Sequence, residues 1–260
     1  MRTAAGYRGS PLCSKERQKM KFTDKLISRA NDNWNQPTAS VAFLGDSVTQ
    51  GCFEIYTDAN NEIVPVFDQS AAYETDFAKI MSILFPNAPI TILNAGVSGS
   101  NAVHGLERLK RDILPMRPDL TVVCFALNDS ANGTEGIPAY ISALREIFQS
   151  LRQNQMDALF LTPNMMATEV DCSIGPGVIH DAAAACVNVQ NTGVLDAYIS
   201  AAKLLCKEMS VPVCDCYGIW KDLNKMGVNT NALLSNHINH PTREMNWLFA
   251  YELSRAILSL

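Results

Sequence analysis

The sequence has no apolar run long enough to cross a bilayer, and its amino terminus lacks the apolar core of a secretory signal. It also lacks a basic block: lysine and arginine are scattered apart from Arg108, Lys110 and Arg111, and the net charge is −5. A nucleic-acid surface and a polybasic membrane anchor are excluded on that ground. The 8 cysteines form no evenly spaced framework and mostly sit inside apolar runs, where cysteine behaves as a small hydrophobe. A disulfide scaffold is excluded, and a reducing compartment, the cytoplasm, is expected. Cys214 and Cys216 have no second pair to complete a zinc knuckle, so no structural metal is expected. Internal repeats and low-complexity tracts are missing too, which excludes solenoids and arrays.

What is present suits one large α/β domain: 260 residues, 47% hydrophobic and 18% charged. Residues 1–20 are small, polar and basic, and Met20-Lys21-Phe22-Thr23 reads as a natural start. Either Met20 is the initiator or residues 1–20 form a disordered extension. Both readings place a single domain over residues 21–260.

Five short apolar runs read as strands: Ser40 to Leu44, Ile90 to Leu93, Leu120 to Leu127, Ala158 to Thr162 and Val211 to Asp215. Pro212 in the last predicts an edge position. Helical spacing predicts helices over residues 23–31, Ala71 to Leu84, Asn101 to Leu114, Ile137 to Leu151 and Val194 to Met209. A final helix is predicted from Pro241, in its first turn, through Leu258. Gln50 to Gln69, Met165 to Ala185 and the asparagine-rich Met226 to Asn239 read as loops. Alternating strands and helices imply a parallel sheet covered on both faces.

In such a sheet the carboxyl ends of all strands share one edge, where residues distant in sequence converge. Ser47 follows the first strand, the Gly96–Gly99 turn the second and Asn128-Asp129 the third, while His237 and His240 precede the last helix. A serine hydroxyl attacks an acyl carbon when a base takes its proton, and imidazole suits that task near neutral pH. The Ser47 amide, an amide of the glycine turn and the Asn128 carboxamide could stabilise the oxyanion. The bland reading is a strand-end serine that only caps a helix.

Gly45-Asp46-Ser47, Asn94 to Gly99, Asn128-Asp129 and His240-Pro241 resemble, in order, the four blocks of the GDSL or SGNH hydrolases. The resemblance implies a three-layer, flavodoxin-like α/β/α fold with a central parallel five-stranded sheet, and ester hydrolysis without a cofactor. It makes Ser47 the nucleophile and His240 the base. It makes the Ser47 and Gly99 amides and Asn128 the oxyanion hole. The GxSxG elbow of the α/β-hydrolases is absent around Ser47, as the family requires.

Two positions depart from the family. Ala126 stands where it usually has glycine, a change expected only to tighten packing. His237 stands where it usually has the acid, three residues before the histidine. Three readings follow: a Ser47-His240 dyad oriented by a backbone carbonyl, a carboxylate from elsewhere (Asp215 or Asp222), or lost activity. Asp46 and Asp129 are expected to brace their turns, and His104 and His180 to lie on a helix surface and a loop. His237 and His240 as metal ligands lack a third donor, so no metal is expected. Met165 and Met166 are core filler or a soft lip for substrate.

The polar loops and acidic surface fit a small-molecule ester, an acetylated sugar above others, and neither nucleic acid nor membrane as partner. The ending around His240 also resembles that of bacterial carbohydrate esterases of the family. The rivals are a lysophospholipase or acyl-thioesterase, and a non-catalytic carbohydrate-binding protein on a decayed hydrolase fold.

Overall fold

The computed structural model describes residues 21–260, so the expected extension over residues 1–20 lies outside the described residues. The chain runs α1 (Lys21–Asn31), β1 (Ser40–Gly45), α2 (Ser47–Gln50), β2 (Cys52–Thr57), β3 (Ile63–Phe67), α3 (Tyr73–Leu84) and β4 (Thr91–Gly96). It continues through α4 (Ala102–Asp112), β5 (Leu120–Cys124), α5 (Ile137–Gln153), β6 (Asp157–Leu161) and α6 (Val178–Asn191). It ends with α7 (Val194–Met209), β7 (Val213–Cys214), α8 (Cys216–Lys225) and α9 (Arg243–Leu258).

The five-stranded sheet has the order β4-β1-β5-β6-β7, and each neighbouring pair is parallel. β1 and β5 are buried almost end to end because helices cover both faces, which is why they read as unbroken apolar runs. β7 lies at the edge, and the Pro212 carbonyl before it accepts from Phe160 N at 2.9 Å. α3 packs on α9, and on the other side α4 packs on α5 and α5 on α7. No helix among the described residues is long and apolar enough to cross a membrane.

Four expectations about local structure need correction. The stretch Gln50 to Gln69 is no irregular loop: it holds the antiparallel hairpin β2-β3, in which Ile55 pairs with Pro65. Proline fits there because, among the described residues, β3 has no second neighbour to require its missing N–H. The predicted loop from Met165 to Ala185 gives way to α6 at Val178, which places His180 on a helix. An unpredicted α8 follows β7 directly, because the Asp215 side chain caps it by accepting from Gly218 N at 3.2 Å. Pro241 lies outside α9, whose cap is Thr242, with its side chain accepting from Met245 N.

Candidate active site

The turn after β1 is built to bring a short helix against the neighbouring strand. A Cβ on Gly45 would stand 2.0 Å from Thr49 Oγ1, and one on Gly96 would stand 2.3 Å from Gln50 N. Glycine at both strand ends therefore lets α2 lie against β4. Asn94 fastens the contact, donating from Nδ2 to the Thr49 carbonyl at 2.8 Å and accepting from Gly96 N at 2.8 Å. Gln50 Oε1 accepts from Ser98 N at 2.6 Å, and Arg108 Nη2 donates to the Gly45 carbonyl at 2.7 Å. Behind the turn, Tyr73 Oη and Thr49 Oγ1 are hydrogen bonded at 2.9 Å.

Ser47 is the first residue of α2, so its N–H is one of those that intrahelical bonding leaves free. Asp46 is buried and caps the helix, accepting from Val48 N at 3.0 Å. Burial pushes its carboxyl up to about 7. Gly99 is exposed in the left-handed region, at φ +74°. Asn128 Nδ2 donates to the Ser100 carbonyl at 2.8 Å, which leaves its second N–H for a ligand. Asp129 is buried, accepts from Ala102 N at 2.9 Å and so ties the third turn to the start of α4. Burial raises it to about 6.

Ser47 Oγ lies 2.9 Å from His240 Nε2, and His240 Nδ1 lies 3.0 Å from the Phe53 carbonyl on β2. A carbonyl only accepts, so Nδ1 carries the proton and Nε2 accepts from the serine hydroxyl. The imidazole is buried, which pushes its pKa down to about 4 and keeps the ring neutral at physiological pH. The expected dyad partners are thus in contact, and a backbone carbonyl stands where a carboxylate was one of the alternatives.

The loop that carries His240 is folded around Asn236. Its Oδ1 accepts from the N–H groups of Ile238, Asn239 and His240 at 2.9 to 3.0 Å. Asn164 Nδ2 reaches the Asn239 carbonyl at 2.8 Å, and Ser235 N donates to the His240 carbonyl at 2.8 Å.

His237 is not brought to His240. It sits at φ +56°, half exposed, with Nδ1 3.5 Å from Asp171 Oδ2. Asp215 is occupied as the α8 cap and with Lys203, and Asp222 pairs on the surface with Lys225 at 3.2 Å. Neither carboxylate reaches His240. Met165 and Met166 are both buried, so they belong to the core. Ala126 takes φ +152°, a region that L residues rarely adopt. Its departure from glycine therefore strains the backbone before Asn128, where only tighter packing was expected.

Beyond His237 opens a cleft of about 450 Å³ between the hairpin and the start of α6, with Glu54, Asn61, Ser173, Ser235 and Asn236 in its walls.

The parallel sheet covered on both faces makes a three-layer α/β/α fold, with a serine and a histidine hydrogen bonded at its carboxyl edge. Residues 43–248 match the GDSL-like Lipase/Acylhydrolase family, and the chain belongs to that family. No curated protein shows significant sequence similarity to it. Among solved structures, a variant of an acetyl-xylooligosaccharide esterase from Geobacillus stearothermophilus superposes with a TM-score of 0.63 at 17% identity, covering 84% of this chain and 94% of that one. A two-domain esterase active on acetylated mannans gives 0.63 at 15% identity, over 94% of this chain and 54% of that one. A lipase/acylhydrolase from Enterococcus faecalis gives 0.60 at 17% identity, over 85% and 96%.

Proposed function

We propose that the protein is a serine esterase that removes small acyl groups, acetyl foremost, from a carbohydrate, through an acyl-enzyme on Ser47 with His240 as general base. The observation that carries this reading is the chain of hydrogen bonds from Ser47 Oγ through the His240 ring to the Phe53 carbonyl. As Oγ attacks the acyl carbon its proton passes to Nε2, and the same proton then leaves with the sugar alkoxide. The carbonyl oxygen, now negative, meets the Ser47 and Gly99 amides and the free Asn128 N–H. The acyl-enzyme is cleared by water, which His240 activates in the same way.

The cleft beyond His237 presents Asn61, Ser173 and Ser235, groups that bond hydroxyls, and the neighbouring structures include esterases of acetylated xylo-oligosaccharides and mannans. A fluorophosphonate probe is expected to label Ser47 stoichiometrically, and acetylated xylo-oligosaccharides are expected to be turned over faster than esters of ten or more carbons. Absence of labelling would favour a non-catalytic carbohydrate-binding protein; preference for long chains would favour the lysophospholipase reading.

The pH profile has a definite sign. His240 accepts a proton only while neutral, and its folded-state value lies near 4, below the ordinary 6.5. kcat/KM is therefore expected to persist as pH falls from 7 towards 5, and to drop with an inflection near 4. Asp46 takes up a proton near 7, so the profile of Asp46→Asn, which keeps the cap to Val48, separates the two groups. An inflection near 6.5 in both proteins would show a base far less buried than His240.

A further inference from the structure

The acid in a serine, histidine and aspartate site does two things: it holds the imidazole in the right tautomer, and its charge stabilises the imidazolium. Here the Phe53 carbonyl, 3.0 Å from Nδ1, does the first. It carries no net charge, so the second task needs another source.

The next residue along β2 is Glu54. Its carboxylate accepts from Arg243 Nη1 at 2.5 Å and Nη2 at 3.2 Å. Arg243 Nε donates to Asp68 Oδ2 at 2.9 Å, and the guanidinium lies over the Phe53 ring, 4.3 Å from its centroid. Asp68 follows β3, and Arg243 opens α9 three residues after His240. The cluster therefore pins both strands of the hairpin, at its open end, to the segment that carries the histidine. Two carboxylates on one guanidinium also leave it with one negative charge in excess.

We propose that the Glu54, Arg243 and Asp68 cluster does the electrostatic work of the absent acid: Arg243 holds the Phe53 carbonyl on His240, and the excess negative charge, Glu54 foremost, stabilises the imidazolium. The proposal rests on Ser47 and His240 acting as nucleophile and base. These are positioning residues, acting through the ring and not on the substrate. Glu54's field favours the charged form of His240, opposing the larger effect of burial. The titratable groups next in sequence to the pair face elsewhere: Asp46 is bonded to Val48 N in the turn before α2, and His237 is turned towards Asp171.

Glu54→Gln removes the charge and keeps one of the two clamp bonds, because the amide oxygen still accepts from Arg243 Nη1 while the amide nitrogen cannot accept from Nη2. Glu54 is half exposed, so a modest effect is expected: kcat for a short acyl ester falls about tenfold with KM nearly unchanged. The His240 titration, followed by NMR of ring-labelled histidine and assigned with His240→Ala, moves down by about half a pH unit. Glu54→Asp, which restores the charge, recovers most of the loss. An unchanged kcat, or a loss without any movement of the titration, would overturn the proposal. Ser47→Ala run alongside keeps the two readings apart: if it stays active, the reading of Ser47 and His240 as nucleophile and base itself fails. If it is inert while Glu54→Gln behaves as wild type, only the role of the cluster fails.

Discussion

Ser47→Ala and His240→Ala are each expected to lower kcat/KM for a short acyl ester by at least about 10³-fold, and the double substitution to cost little more than either alone. In the proposed mechanism the two side chains, 2.9 Å apart, act as one device. Without the imidazole the serine hydroxyl keeps its proton, and without the hydroxyl the imidazole has nothing to activate. Both substitutions remove buried atoms at the surface end of the sheet and leave the strands and helices intact, so circular dichroism should be unchanged. His237→Ala is the informative control. The ring is half exposed, is turned to Asp171 and lies away from His240, so activity within about threefold of wild type is expected. Steady-state kinetics on the three proteins decides the matter. Full activity in Ser47→Ala would end the nucleophile assignment, and collapse in His237→Ala would mean that His237 serves the reaction in a way its contacts do not suggest.

The control matters because His237 stands at the one point where sequence reasoning had three answers. The strands of the sheet were legible, since a strand buried on both faces can only be an apolar run, and the glycine and asparagine turns at their ends announced the edge where chemistry collects. The acceptor for His240 Nδ1 was not legible. Every residue has a backbone carbonyl, so Phe53 carries no mark of its role, and only the hairpin brings it there. The hairpin was itself hidden by Pro65, which reads as a breaker although an edge strand tolerates it. α6 could have been found: Gly175-Pro176-Gly177 punctuates the chain, and the alanine-rich run after it has high helix propensity. Asn236 was within reach too. An asparagine just before a segment that must turn back is the usual source of side-chain bonds to following N–H groups, and here it binds three.

Asn128→Ala is expected to lower kcat by about 10² to 10³, or about 2.7 to 4 kcal/mol in the barrier, with KM little changed. The size follows from when the bond is made. In the ground state the carbonyl oxygen of the ester bears only partial charge and water competes for it. In the tetrahedral intermediate that oxygen is an anion, and a donor already fixed in place needs no reorganisation to meet it. Asn128 is fixed: one N–H is spent on the Ser100 carbonyl at 2.8 Å, which aims the other. Its backbone is held from both sides, by Ala126 in a strained conformation and by Asp129 on Ala102 N. Asn128→Asp makes the sharper test. The carboxylate is nearly isosteric, yet it offers the Ser100 carbonyl and the oxyanion two acceptors in place of two donors. It should therefore lose at least as much kcat as alanine. Equal losses in kcat/KM and kcat for both variants would place Asn128 on the oxyanion. A rise in KM at constant kcat would instead make it a residue that binds ground-state substrate, and the hole would then be left to the amides of Ser47 and Gly99.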